Sequence, residues 1–313
     1  GFADNPTFDQ TMSGAYVSPT IATDHRANIA GAAWMTAAMA LFACEDALLK
    51  ASASGIPVGQ VLILFGLGGG LVFAILARRN GDRLFSRDII SKPMLVRAFF
   101  EVFGRLFFTL AYVLTPLSSV TVILQAAPLV VVAAAALLFD EQVGWRRWTA
   151  IAIGLTGVVV VLQPGLESFS SLSLLALLGM IGFAGRDLAS RMAPATLSVA
   201  VLGFHGFLAR VVAGCQISFW WAQPLVVPRP QDGMLIALAC VIGAIAYGCL
   251  MKAMRTGEVS AVAPFRYTRL LFGVALGVLV FAETLTVPMM VGSGIIVLAG
   301  LFILWRGRRG RVT

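Results

Sequence analysis

Residues 115–162 read TPLSSVTVILQAAPLVVVAAAALLFDEQVGWRRWTAIAIGLTGVVVVL, and residues 256–304 read TGEVSAVAPFRYTRLLFGVALGVLVFAETLTVPMMVGSGIIVLAGLFIL. The two stretches are one apolar pattern written twice. Ser119 matches Ser260, Phe139 matches Phe281, Glu141 matches Glu283 and Gly157 matches Gly300, in the same order. An internal repeat in a chain this apolar points to a membrane carrier built from two related halves, with its cargo handled between them.

Composition agrees. The chain has 313 residues, 59% hydrophobic and 12% charged, with a mean hydropathy of +0.90, whereas soluble domains carry roughly 25% charged residues. Runs near the length needed to cross a bilayer as helix recur throughout. Ten spans are expected, near 28–51, 58–77, 94–113, 117–138, 148–163, 173–190, 196–221, 234–253, 258–281 and 287–305. They are punctuated by turn formers at Arg79-Asn80-Gly81-Asp82, Gln163-Pro164-Gly165 and Val227-Pro228-Arg229-Pro230.

The net charge of +8 reports topology and not nucleic acid. Arg78, Arg79, Arg83, Arg87 and Lys92 share one connection, Arg146 and Arg147 a second, Arg186 and Arg191 a third, Lys252 and Arg255 a fourth, and Arg306, Arg308, Arg309 and Arg311 close the chain. The positive-inside rule puts this set and both termini in the cytoplasm. Five spans per half is an odd number, so similar halves face opposite ways and a pseudo-two-fold axis lies in the membrane plane. Residues 1–27 are polar without an apolar leader segment; the first of them are expected to be vector-derived, with Met12 the candidate native start.

Several classes are excluded. The short loops leave no room for a soluble catalytic or ATPase domain, and no phosphate loop, serine elbow or histidine box is present, so no enzyme activity, cofactor or metal is expected. The histidines are His25 and His205 alone. Cys44, Cys215, Cys240 and Cys249 lie in apolar stretches without CxxC spacing and read as free thiols.

The repeats, each closing on a helix pair around F-x-E with a glycine-rich last helix, resemble the EamA family of the drug/metabolite transporter superfamily. The strongest matches are PLSSVTVILQAAPL followed by FDEQVGWRRW, and GEVSAVAPFRYTRLLFGVALGVLVFAE. The resemblance implies an all-α membrane protein of ten transmembrane helices, organised as two inverted five-helix repeats at 28–163 and 173–306, with a basic tail at 307–313. It also implies a central cavity formed by spans 1, 3, 4, 6, 8 and 9. Among family members the chain is most similar to bacterial amino-acid exporters. The expected activity is secondary export of small metabolites, neutral or aromatic amino acids in particular, by alternating access; import of riboflavin or S-adenosylmethionine on the same fold is the alternative. The chain departs from many members early in span 2, where Val58-Gly59-Gln60-Val61-Leu62 lacks their acid and arginine.

Charged and polar residues inside spans are costly and ask for a reason. Arg269 and Arg266 lie about 16 and 12 Å into span 9; with Tyr267 they can hold a substrate carboxylate and ring, or Arg266 can neutralise Glu101. Gln125, before Pro128, with Tyr112 and Trp34, completes the expected substrate set, and Phe108 and Tyr247 are further candidate cavity aromatics. Arg97, Glu101 and Arg105 recur every four residues and either line the cavity or form a structural ion pair. Glu101, Arg105, Glu45 and His205 are the candidates for coupling or gating, with protons a candidate partner. Asp46 and Lys50 are spaced for a local pair. Gly66 and Gly68 to Gly70 suit close helix packing, and Trp145, Trp148, Trp220 and Trp221 suit the bilayer interface.

Overall fold

The structure, a computed structural model, describes residues 25–138, 144–163, 170–194, 196–222, 224–256 and 262–309. Phe139, Glu141 and Ser260 of the matched pattern, the Pro164-Gly165 turn, Met12 and Arg311 lie outside them. Among the described residues the regular structure is entirely helical. Its helices are α1 (His25–Ser52), α2 (Val58–Arg79), α3 (Lys92–Leu114), α4 (Leu117–Leu124), α5 (Ala127–Leu138), α6 (Trp145–Leu162), α7 (Ser173–Arg191), α8 (Val199–Trp221), α9 (Pro230–Arg255), α10 (Thr268–Phe281) and α11 (Val287–Arg309), with 3₁₀ turns at Arg87–Ile90 and Ala263–Tyr267. Seven segments are long and apolar enough to cross a bilayer: 26–52, 58–79, 117–138, 173–190, 199–221, 230–253 and 263–281. α3, which carries Lys92, Arg97, Glu101 and Arg105, falls outside that set.

Large apolar side chains cover the outside, Phe219 being 90% exposed and Leu279 81%, as suits contact with lipid. This is a multi-pass membrane protein.

The expected continuous helix over 117–138 is instead two. Pro128 has no N–H to donate and its ring crowds the carbonyl four residues back. The chain tightens there, with Gln125 and Ala126 donating to the carbonyls of Val122 and Ile123, and restarts as α5. The other copy is interrupted in its own way, by the 3₁₀ turn around Pro264 that precedes α10.

Helices pack chiefly in pairs, α1 with α9, α2 with α8, α3 with α7 and α6 with α11, while α10 packs against both α1 and α4. Glycines sit where pairs come closest. A Cβ on Gly214 would meet the Gly59 carbonyl at 2.6 Å, one on Gly182 the Gly104 Cα at 2.3 Å, and one on Gly292 the Gly157 carbonyl at 2.6 Å. Gly69 of the expected run packs on the Phe207 ring in the same manner, a Cβ there falling 2.0 Å from it.

One end of the bundle is tied by Glu283. Its carboxylate accepts from the backbone N–H groups of Leu117 and Ser118 (2.6 and 2.9 Å), from the Ser118 hydroxyl (2.6 Å) and from Lys50 (3.1 Å). Glu283 therefore caps the first turn of α4 and binds α1 to the connection after α10. Burial opposes the charge, but the Ser118 hydroxyl, the two amides and the Lys50 ammonium together hold this carboxyl below the ordinary carboxylate range. Lys50 also donates to the Thr115 carbonyl at 2.9 Å. The local Asp46–Lys50 pair expected from the i, i+4 spacing is thus not formed: Lys50 reaches across helices, and Asp46 turns inward to Arg269.

At the opposite end, the 80–91 connection straps onto the start of α8. Asp82 accepts from Ser198, Asp88 from Thr196, both at 2.6 Å, and His205 Nε2 lies 2.9 Å from the Leu84 carbonyl.

Candidate substrate site

A charged layer crosses the bundle interior. Its spine is α3, where Arg97, Glu101, Arg105 and Thr109 recur every four residues and so fall on one face; all are buried, and Tyr112 one turn further on is 1% exposed. Glu45 and Asp46 enter from α1, Arg186 and Asp187 from α7, Arg210 from α8 and Arg269 from α10. Five arginines meet four carboxylates.

Two parts of the layer are paired. Glu101 lies 3.5 Å from Arg97 and 3.4 Å from Arg186, Arg97 donates to Ser190 at 3.0 Å, and Arg186 pairs with Asp187 at 2.7 Å. Arg269 donates to Asp46, linking α10 to α1, above the Phe42 ring. Glu101 therefore takes its partners from its own helix and from α7. Arg266 does not supply that charge; its carbonyl accepts from Gln125 Nε2 at 3.3 Å, joining the two interrupted segments.

The centre is not paired. Among the described residues Arg105 and Arg210 make no hydrogen bond and no ion pair, and the Nε of each is buried without a partner. Aromatic faces hold them: Arg105 lies 5.5 Å from the Phe183 ring centre, and Arg210 lies 4.1 Å from Phe207 and 5.4 Å from Phe65. Glu45, 3% exposed, also has Oε2 buried and unpartnered. It is close enough to Arg210 and Arg105 for their charges to act on it, yet not in contact. A carboxylate ligand entering here meets two guanidinium forks already oriented by stacking.

Of the residues singled out from sequence, the layer brings together Arg269, Tyr112, Glu101, Arg105 and Glu45. Gln125 and Arg266 meet beside it at the helix interruptions. Trp34 lies elsewhere, stacked under Lys252 at 4.0 Å. Tyr267 points at α11, where a Cβ on Gly300 would fall 1.7 Å from its hydroxyl. His205 serves the 80–91 strap. Phe108 packs between Tyr112 and Phe183, and Tyr247 against Phe73. Sequence reasoning gave Arg186 and Asp187 no place at the site and did not count Arg210 among the substrate residues. Yet Arg210 is the one charged side chain of α8 and sits near its middle, a signal that depth alone could have raised.

The EamA-like transporter family profile matches residues 29–163 and 170–305. The chain is 26% identical over 225 residues to an S-adenosylmethionine uptake transporter of Rickettsia felis, covering 70% of this chain and 74% of that one. It is 27% identical over 296 residues to a riboflavin transporter of Vibrio cholerae, covering 90% and 95%. To the pseudopaline exporter CntI of Pseudomonas aeruginosa it is 24% identical over 280 residues, covering 86% and 93%. A solved crystal structure superposes with a TM-score of 0.58 at 18% identity over 90% of this chain and 98% of that one, a likeness of fold. Two profile matches spanning nearly the whole sequence, on a helical bundle with a buried ionic layer, mean that the chain belongs to the EamA-like transporter family.

Proposed function

We propose that this protein is a secondary transporter that exports small aminocarboxylate metabolites, neutral and aromatic amino acids among them, across the bacterial inner membrane. The observation that carries this reading is the pair Arg105 and Arg210, buried among rings with no carboxylate in contact among the described residues. An unpaired buried charge costs several kcal/mol, so a site that keeps two is built for a partner that comes and goes. Carboxylate is the partner whose geometry fits a guanidinium fork.

The architecture that moves the cargo is ten spans in two inverted halves with both termini cytoplasmic. Helix pairing supports it. Counting 117–138 and 263–281 as single spans, the close pairs are 1 with 8, 2 with 7, 3 with 6 and 5 with 10, followed by 1 with 9, 4 with 6 and 4 with 9. Exchanging each span for its counterpart five places on returns the same set, as a pseudo-two-fold relation requires. Arg269, Tyr112, Gln125 and Arg266 border the substrate site in this scheme, and Glu101 is the group through which protons couple.

A second reading, uptake of S-adenosylmethionine or riboflavin, is favoured by the relatives, which include an S-adenosylmethionine uptake transporter and a riboflavin transporter. One experiment separates them. Proteoliposomes containing the protein, loaded in turn with labelled L-phenylalanine, L-leucine, S-adenosylmethionine or riboflavin, should release the amino acids saturably, faster under an imposed pH gradient. Saturable flux of either of the other two cargoes alone would replace the proposal with the second reading. Non-saturating leak of all four defeats both.

A further inference from the structure

We infer that Glu45 reads the substrate's amino group, and so sets a preference for aminocarboxylates over plain carboxylates. This rests on the carboxylate role proposed for Arg105 and Arg210. Two consecutive acids on α1 have different fates: Asp46 is taken by Arg269, whereas Glu45 has no hydrogen-bond partner among the described residues.

The Glu45 carboxylate is aimed at α9 where that helix has no side chain. A Cβ on Gly243 would fall 2.7 Å from Glu45 Oε2 and 3.4 Å from the Phe65 ring. The missing methyl lets the carboxylate and the Phe65 ring close onto the α9 backbone, and the same ring lies 5.4 Å from Arg210. The facing charges are Arg105 from α3, Arg210 from α8, Arg269 from α10 and the adjacent Asp46. Arg269 is already paired, which leaves one carboxylate and two guanidinium groups held apart. A ligand carrying an ammonium next to a carboxylate complements all three; a plain carboxylate answers the arginines and leaves Glu45 unpaired and repelling it. An unpaired buried acceptor of this kind is the group that lets a site reject an analogue lacking the donor.

The test uses the full chain in proteoliposomes, with L-phenylalanine and 3-phenylpropionate, then L-leucine and 4-methylpentanoate, as competing pairs against the labelled amino acid. Wild type should prefer each amino acid by at least about tenfold, the scale of one charge-assisted contact. In Glu45→Gln that preference should fall to within about threefold, chiefly by weaker binding of the amino acid. Glu45→Asp should keep most of it. Gly243→Ala, which presses on the carboxylate without removing it, should erode the preference in the same direction and serves if Glu45→Gln does not fold. Equal weakening of both members of a pair would mean a structural role, and an altered pH profile with the preference intact would mean a proton carrier; either overturns the inference. A wild type that moves amino acids without preferring them overturns it while leaving the arginine site standing. A wild type that moves neither kind of compound removes both.

Discussion

Glu283 and the Arg105–Arg210–Glu45 centre are two ways of burying charge in one bundle. Glu283 has a Lys50 ammonium, a Ser118 hydroxyl and two backbone amides. The central groups have aromatic faces and each other's fields, and no direct partner among the described residues. A saturated ion belongs to the scaffold, because removing it leaves its donors unpaired. An unsaturated one suits the cargo role proposed for it, because a ligand would complete it.

The comparison breaks first at the arginines. Arg210→Met should cut the apparent affinity for the transported amino acid roughly 10- to 100-fold, and Arg210→Lys should not restore it, since a point charge replaces a stacked fork. Melting temperature in detergent should hold steady or rise, because the charge removed had no partner; a large drop would make Arg210 a scaffold residue. Glu283→Ala should do the reverse. It should cost on the order of 3 kcal/mol of stability, read by thermal unfolding, with substrate affinity per folded molecule little changed.

The same carboxylate gives a pH dependence of known sign. Its folded value is held below the ordinary range, so its contribution is complete above the unfolded pKa of about 4.3 and is lost as pH falls through the folded value. Wild type should lose melting temperature between about pH 5 and pH 3 more steeply than Glu283→Gln. Parallel curves would mean that Glu283 is not ionised as described. The smallest effect is at Ala282, which turns the chain toward α4 at φ 51°, in the left-handed region. Ala282→Gly should relieve strain there by about 0.5–1 kcal/mol.

Much of the fold was legible. The Asn80-Gly81 turn ends α2 as expected, with Gly81 at φ 76°, and the described helices follow the predicted segments, except where Pro128 divides one of them and the 3₁₀ turn at Ala263–Tyr267 interrupts another. Pairing was less legible because i, i+4 spacing finds only neighbours on the same helix. It linked Arg97 with Glu101 correctly, but offered Lys50 to Asp46 when Lys50 pairs with Glu283 beyond α10 and Asp46 with Arg269 on α10. Arg186 looked like part of a basic loop cluster until packing against α3 set it beside Glu101. Tyr267 adjoined Arg266 in sequence, yet the 3₁₀ turn sends its hydroxyl to α11.

The sequence by itself determined that the chain lives in a membrane, repeats a helical pattern and carries more ionisable groups within its spans than lipid tolerates cheaply. Hydropathy, periodicity and loop charge are local properties, and they survive without coordinates. Tertiary structure alone decided which of those groups are satisfied. A hydrogen bond needs about 3 Å and a suitable angle, conditions set by how the helices converge. Only there do Glu283 and Glu45, two acids of the same chain, become a clamp and an open hand.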